Sequence, residues 1–538
     1  MNSKVLGAST VLALLAVVGG LPAPASSEPR PRSARALPLG AGGLTETRST
    51  RTLQPGVTLT RIVRGAEAPA LAWTVELSIP GGATSPDPDA PPTALKDRAS
   101  ADELTSDVGG DGFDARLEEV TTPAVADYAG GSLGWRVRVG RFGAQSAATA
   151  ELARLKAAGY AGSAVYTGWD GDPADRGPWR VDVLTIDPHR FRGRLEPSYG
   201  PDLENRERTS ELAAAAGATA AVNAGFFVLD PKAGAPGDPA GVGVYDGRLL
   251  SEPVSGRPAL VIRDSGRHTG VTRLTWQGWV AGRGASQPLD GIDRVPGLIR
   301  NCGGTADDTP TSLPLHDATC TDPDELVAFT REYGGQTPHG DGLEAVLDSH
   351  DRVVELRSPR GGALPAGGSS VQATGNRVAG LTALAQAGKP LRVEKTLRDG
   401  DGRRVPLSST TGILNGGPEL VRDGRLHVTP ATDGMVQPGN ASFYYGWVHK
   451  RNPRTLAGVD AAGRTVLVTA DGRGTAALGL SIPESAAVAR SLGLRDAVNL
   501  DGGGSTTLVV DGAVLNTPSD ATGERPVGDA LLILPDRS

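Results

Sequence analysis

The chain has 538 residues, 38% hydrophobic and 21% charged, a balance that suits soluble globular domains and is too mixed for a wholly disordered chain. Length sets a prior of about three or four domains. Gly (74) and Pro (41) fill about a fifth of the chain, above their usual share of about 12%, and only 4% of residues are aromatic. This composition disfavours a long helical bundle and favours many strands and turns. Net charge is −7, from 54 basic and 61 acidic residues, which argues against a general nucleic-acid binder but permits a locally positive anion site.

The N-terminus reads as an export signal over residues 1–25. Lys4 supplies a positive start, Leu6 to Val18 is small and apolar, and Ala23-Pro24-Ala25 is a small-x-small cleavage pattern. The rival reading is a membrane anchor, but the run falls short of the ~20 residues a bilayer needs, and Gly19, Gly20 and Pro22 interrupt it. No later segment is apolar for long enough, so the expectation is a mature protein outside the cytoplasm, secreted or wall-associated. Residues 26–50 are rich in Pro, Arg and Ser and read as a linker. Val57 to Val63 and Trp73 to Ile79 read as strands, and Gly81 to Pro92 breaks structure.

Residues 133–168 predict a small βαβ unit: a strand at Trp135–Gly140, a helix at Ala147–Ala158 and a strand at Ser163–Tyr166. Val137-Arg138-Val139-Gly140-Arg141-Phe142, then Leu155 and Ala157-Ala158-Gly159-Tyr160, resemble part of a SPOR domain. That resemblance implies a partner in peptidoglycan glycan strands. It covers about half a module, with the rest supplied by residues 95–125 or degenerate; a plain βαβ insertion is the alternative.

From Gly177 the pattern changes. Trp179–Ile186 predicts a strand and 210–218 a short helix stopped by Gly217. Asp246-Gly247, Asp423-Gly424, Asp471-Gly472 and Asp511-Gly512 each sit between apolar runs, a hairpin signature. Further helices are expected near Val378–Gln386 and at Pro483–Leu492, the latter with Ser481 as N-cap and Glu484 in its first turn. The segment 285–345 reads as an insertion or lid. It holds Cys302 and Cys320, most simply a disulfide closing a small loop outside the cell, contributing about 3 kcal/mol. The competing reading is a metal site near His316, Asp307, Asp308 and Asp317, though no CxxC or HxxxH spacing appears.

Three stretches carry possible chemistry. The most telling runs Asn499-Leu500-Asp501-Gly502-Gly503-Gly504-Ser505-Thr506. A strand delivers Asn499 and Asp501 into three glycines, whose conformational freedom lets amides crowd onto an anion. Ser505 and Thr506 add hydroxyls. A capped turn is the bland alternative, and no Gly-Lys-Ser/Thr follows, so this is not a P-loop. In the second stretch Arg454 offers a planar fork suited to phosphate, or is a surface arginine. The third is Asn223-Ala224-Gly225-Phe226-Phe227, where Asn223 suits a sugar or a left-handed turn and the phenylalanines read as core. Asp471 fits a hairpin turn, Glu484 a helix start or an acid/base, and His449 an exposed loop. Oxygen ligands near a phosphate could hold Ca²⁺ or Mg²⁺, but no calcium-loop spacing appears; the metal site stays unknown.

Together these stretches resemble the phosphodiester glycosidase family, through Asn223–Phe227, Gly416-Gly417-Pro418, Pro453-Arg454-Thr455, Asp471-Gly472-Arg473, Gly479-Leu480-Ser481 with Glu484, Asn499–Thr506 and Arg525-Pro526-Val527. The resemblance implies an α/β (α+β) fold: a strand-rich catalytic domain with few helices at 176–538, leading strands at 51–80, and the SPOR-like insertion at 95–175. It implies cleavage of a sugar from an α-linked sugar-1-phosphodiester, of the N-acetylglucosamine type, in cell-wall or extracellular glycopolymers. It further implies that Asp501, Glu484 and Asp471 are catalytic. Asn223, Gly225, Arg454, Thr455, Asn499, Gly502, Gly503, Gly504, Ser505 and Thr506 would bind substrate, with Arg454 and the glycine amides on phosphate. Leu456-Ala457 and the long 285–345 segment depart from the family pattern. Two alternatives stand beside this: a phosphodiesterase breaking the P–O bond, and a non-catalytic wall-glycan binder.

Overall fold

The computed structural model describes residues 36–79, 91–254, 256–300, 307–311 and 318–536. The expected signal at 1–25 lies outside them. The linker expected to reach residue 50 ends earlier: Leu37 and Leu39 are buried, and Glu46–Gln54 is already a strand.

The central element is an eight-stranded antiparallel sheet. Its order is Glu46–Gln54, Val57–Arg64, Trp179–Ile186, Thr465–Ala470, Arg454–Asp460, Leu494–Asn499, Glu419–Arg422 and Arg425–Leu426. Both faces are buried, and the alternation of strand side chains sorts them. Val181, Val183, Val466, Val468 and Leu456 pack with the helix Ile482–Ser491 and with Tyr444, Tyr445 and Val448. Leu184, Leu467, Ala457 and Val498 face the other way, onto Ala220, Val222, Leu508 and Leu531 of a five-stranded sheet and Leu260, Ile262 and Leu414 of a seven-stranded one. The fold is thus the expected strand-rich α+β layering with few helices.

Three of the four Asp-Gly pairs turn hairpins as expected. Asp246-Gly247, Asp423-Gly424 and Asp511-Gly512 all have positive φ at both positions, the geometry that matches strand twist. Asp471-Gly472 does not turn. The chain continues from the strand end toward Arg473, and Gly472 packs against Asn452 and Pro453 instead.

The segment 285–345 is not a detached lid. Ala285–Pro288 pairs with the long strand His268–Gly282. Gly291–Ile292, Leu326–Phe329 and Leu343–Leu347 then join Ser369–Ala373 and Val353–Arg357 in a second five-stranded sheet. Its core residues, such as Leu326, Ala345 and Val371, share one cluster with Val261 and Ile413 of the seven-stranded sheet. Cys302 lies outside the described residues, and with it the expected pairing; Cys320 is buried, and no described cysteine is free.

The insertion is a complete βαββαβ module rather than half of one. Trp73–Leu77, taken from sequence as a leading strand of the catalytic domain, lies inside a four-stranded sheet ordered Ala115–Thr122, Gly131–Phe142, Trp73–Leu77, Gly162–Tyr166. The missing half is the helix Arg98–Gly110 and the strand after it. That helix buries only Ala101 and Val108 and is otherwise polar, which hides its period in the sequence. Together with Gln145–Ala157 it covers one sheet face, over Val75, Leu77, Val137 and Val139. Arg136, Arg138 and Glu76 point to the opposite face.

Candidate active site

The loop after the central strand Leu494–Asn499 sits at the sheet's end, and Asn223 fixes it. This asparagine is wholly buried at the end of the strand Ala220–Asn223. Its Nδ2 donates to the Asp501 carbonyl at 2.7 Å, and its Oδ1 accepts from Thr455 Oγ1 at 2.6 Å and the Thr507 amide at 3.1 Å. The Asp501 amide donates to the Ala224 carbonyl at 2.9 Å. Asn223 and Thr455 thus clamp the loop from inside. Asn499 plays a similar part, donating to the Gly417 and Leu500 carbonyls.

The expected anion nest is largely spent on the protein itself. The Gly502 amide donates to Asp501 Oδ1 at 2.9 Å and the Gly503 amide to the Pro453 carbonyl at 3.0 Å. The Ser505 and Thr506 amides close a short 3₁₀ turn onto Gly502 and Gly503. The glycines serve close approach. Gly503 has φ of 58°, and a Cβ there would meet the Arg473 guanidinium at 3.1 Å; a side chain at Gly504 would run into the Arg525–Asp520 ion pair. The run is small so that guanidinium groups can lie over it.

What results is a cleft of about 640 Å³, lined by Asp501, Ser505, Asp230, Arg257, Arg300 and Arg525, with Phe226, Phe227, Met435 and Trp447 among its apolar walls. Arg257 lies 5.2 Å over the Phe226 ring. Burial, with Arg300 and Arg273 nearby, pushes its guanidinium down to about 10 against the pull of Asp433. A buried cation with other cations beside it gains from an incoming anion. Ser505 is buried, and its Oγ has no hydrogen-bond partner. Thr506 is buried in the same way but does not line the cleft. Gly225 and Phe226 are held from behind. The Gly225 amide donates to Asp529 at 2.6 Å; the Phe226 amide donates to Asn415 Oδ1, and Asn415 Nδ2 donates to the Phe226 carbonyl. Burial pushes the Asp529 carboxyl up to about 6 despite the Tyr245 hydroxyl, 2.6 Å away.

Three expected residues lie elsewhere. Arg454 is buried, and its fork is taken by backbone carbonyls: Nε donates to Leu480 at 2.9 Å and Nη2 to Trp447 at 2.8 Å. Burial, with Arg473 beside it, lowers its guanidinium to about 9. It braces the loop and does not line the cleft. Glu484 closes a capping box with Ser481 and binds Arg451 at 2.7 Å, so its carboxylate is committed to a buried ion pair. Asp471 accepts from the Thr517 amide at 3.2 Å and anchors that chain to the end of its strand; burial raises its carboxyl. His449 is half-buried and stacked on Tyr445 rather than exposed. Sequence missed Asp230, Arg257 and Arg300, which carry no local motif. Arg473 and Arg525 stood within motifs, but nothing local showed that they reach the glycine run.

No cluster of three metal-ligand side chains lines the cleft among the described residues; the cluster that exists, Asp307, Asp308 and Asp322, lies outside its lining. No helix among them is long and apolar enough to cross a membrane.

The chain matches known proteins in two places. Residues 341–534 match the family model for phosphodiester glycosidase, and residues 93–166 match that for the SPOR domain. A mouse N-acetylglucosamine-1-phosphodiester alpha-N-acetylglucosaminidase is 33% identical over 119 residues, 21% of this chain and 22% of the mouse protein. The bovine protein of that name is 28% identical over 156 residues, 28% of this chain and 29% of the relative. The chain thus spans less than a third of the curated relatives' length. A solved structure from Burkholderia pseudomallei, of a protein described as exported, superposes with a TM-score of 0.82 at 35% identity, covering 93% of this chain and 98% of that one. The βαββαβ module thus carries the SPOR-domain match, and residues 341–534 carry a match to the phosphodiester glycosidase family.

Proposed function

We propose that the cleft hydrolyses an α-linked sugar-1-phosphodiester, freeing the sugar and leaving a phosphate monoester. The observation that carries this is the meeting of Asp501 and Ser505 with three arginines in one cleft. Arg257, Arg300 and Arg525 hold the phosphate, a task for which planar guanidinium forks are suited. Asp501 and Asp230 are the cleft's carboxylates among the described residues, replacing the expected pair of Asp501 and Glu484. Water adds to the anomeric carbon, the C1–O bond breaks, and its electron pair leaves with the phosphate. A phosphate monoester departs readily, so the demand on the protein falls on aiming water and stabilising an oxocarbenium-like sugar. Asp501, its backbone clamped by Asn223 and Ala224, is the group placed to take the water's proton or to bond the sugar transiently. The names of the mouse and bovine relatives support N-acetylglucosamine as the sugar. The SPOR domain and the exported relative support an extracellular or cell-envelope setting with peptidoglycan nearby.

The test is turnover of α-sugar-1-phosphodiesters in ¹⁸O-water. Label in the sugar is expected; label in the phosphate would mean P–O cleavage, and binding without turnover would leave a glycan-binding protein. Asp501→Asn should lower kcat by about 10³-fold or more with the fold intact, and a near-wild-type rate would remove Asp501 from the mechanism.

A further inference from the structure

The strand Thr309–Pro310 pairs antiparallel with Ala318–Thr321, in a register that sets Thr309 opposite Thr321 and Pro310 opposite Cys320. One step further along that register, Asp308 comes opposite Asp322. Like charges directly across a strand pair destabilise it. Asp307 joins them, and one oxygen from each of the three carboxylates lies within 4.8 Å of the others.

An acidic cluster alone would be unremarkable on a surface, but this one is sunk. Asp322 is only 4% exposed. Its Oδ1 accepts from the Asp324 amide at 2.8 Å, while its Oδ2 is buried with no partner. Both oxygens of Asp308 are likewise buried and without a partner. Two nearby described cations are shared with other carboxylates. Arg377 touches Asp307 at 3.3 Å but also Asp290 at 3.2 Å, and Arg294 is bound to Glu252 and Glu325. Asp324 and Glu325 add further negative charge to the same turn. Three buried carboxylate oxygens therefore lack any donor, and buried charge without a counter-charge is costly.

We propose that Asp307, Asp308 and Asp322 bind one calcium ion. An all-oxygen donor set selects a hard cation. Three carboxylates on irregular backbone, with no imposed geometry, suit the flexible coordination of Ca²⁺ better than the strict octahedron of Mg²⁺. The ion ties the mouth of the 309–321 hairpin to the turn that starts the strand Leu326–Phe329. The site lies outside the cleft's lining, and it does not depend on the proposed reaction.

The test uses the full chain, stripped with EDTA and desalted. Calorimetric titration with CaCl₂ should show one ion per chain, and about 5 mM CaCl₂ should raise Tm where equal MgCl₂ does not, extracellular-type calcium sites being filled at such concentrations. Asp308→Asn with Asp322→Asn should abolish the Tm increment and weaken binding by at least ~10-fold, since affinity follows ligand charge. In EDTA this double variant should melt no lower than wild type, because the like-charge repulsion is gone. Asp307→Asn, which touches only the exposed ligand, should weaken calcium binding as well and serves if the double variant does not fold. No calcium binding by the wild-type chain, or binding that none of these substitutions weakens, overturns the assignment.

Discussion

Glu484 is held by an ion pair and a capping box, and its removal has a calculable cost. Arg451 is wholly buried and donates to Glu484 from Nη2 at 2.7 Å and from Nε at 3.0 Å to both oxygens. It keeps Asp175 and the Gly168 and Asp172 carbonyls when Glu484 is lost. Glu484→Gln retains the capping box, since glutamine also serves at that position, but removes the charge; a hydrogen bond to a charged group is worth about 2 kcal/mol. Glu484→Ala also loses the cap and leaves a buried guanidinium under-compensated, about 3 kcal/mol at the low end of broken buried pairs because Asp175 remains. With a urea m-value of about 3 kcal/mol/M, the denaturation midpoint should fall by ~0.7 M for glutamine and ~1 M for alanine. Urea melts followed by circular dichroism, paired with turnover normalised to folded protein, measure both effects. Turnover per folded molecule should stay within about tenfold of wild type, far above the loss expected for Asp501→Asn. A Glu484→Gln protein of wild-type stability that is as inactive as Asp501→Asn would refute the structural role and restore Glu484 to the reaction.

Asn223→Ala strips partners from the Thr507 amide, the Thr455 hydroxyl and the Asp501 carbonyl at once, so stability should drop by about 3 kcal/mol in urea melts, and kcat should fall more than KM rises because the Asp501 loop loosens. Asp529 gives a pH signature. Burial raises its folded carboxyl from 3.8 to about 6, so the folded state binds the proton more tightly than the unfolded one. Its contribution is full below about pH 4 and is lost as pH rises through about 6, a change of up to ~3 kcal/mol. Between pH 4 and pH 7.5, wild type should lose stability that Asp529→Asn does not; equal slopes for the two proteins would show that Asp529 titrates normally.

Much of this was legible because it is local. Ser481 and Glu484 cap their helix as their spacing demands, and three Asp-Gly pairs turn hairpins because both residues accept positive φ. The fourth, Asp471-Gly472, carries the same dipeptide but leads out of the sheet, and only tertiary packing decides that. The glycine run is legible in the sequence, but where its amides go is not. Flexible amides near an acid look like an anion nest, yet here they bond to Asp501 and Pro453, and the positive charge comes from arginines distant in sequence. The partners of Arg454 and Glu484 were hidden for a related reason. A buried charged residue in a motif signals a required partner, and whether that partner is substrate or protein is settled by three-dimensional neighbours such as the Leu480 carbonyl and Arg451. Trp73–Leu77 alternates as any strand does, so nothing local could tell which sheet would claim it.

The SPOR sheet is where the two parts of the molecule meet. Its helices cover one face. On the other, Arg136 donates to the Tyr445 hydroxyl at 2.6 Å, while Arg138 binds Glu76 at 2.8 Å and also pairs with Asp170. Glu76 also takes Lys450 at 3.0 Å, and these neighbouring cations hold its carboxyl far below the usual range despite burial. Matched buried charges of this kind add little net stability against an apolar packing, but they penalise any other register of the two parts. The same short segment, Tyr445–His449, contributes Tyr445 to this network and Trp447 to the cleft wall. A shift of the module is therefore felt at the cleft within two residues. Helices cover one sheet face and this network engages the other, which leaves the edge strand Gly162–Tyr166 to one side. Beside that strand lies a groove lined by Ser163 and Val165, the Glu76–Lys450 pair and Trp447.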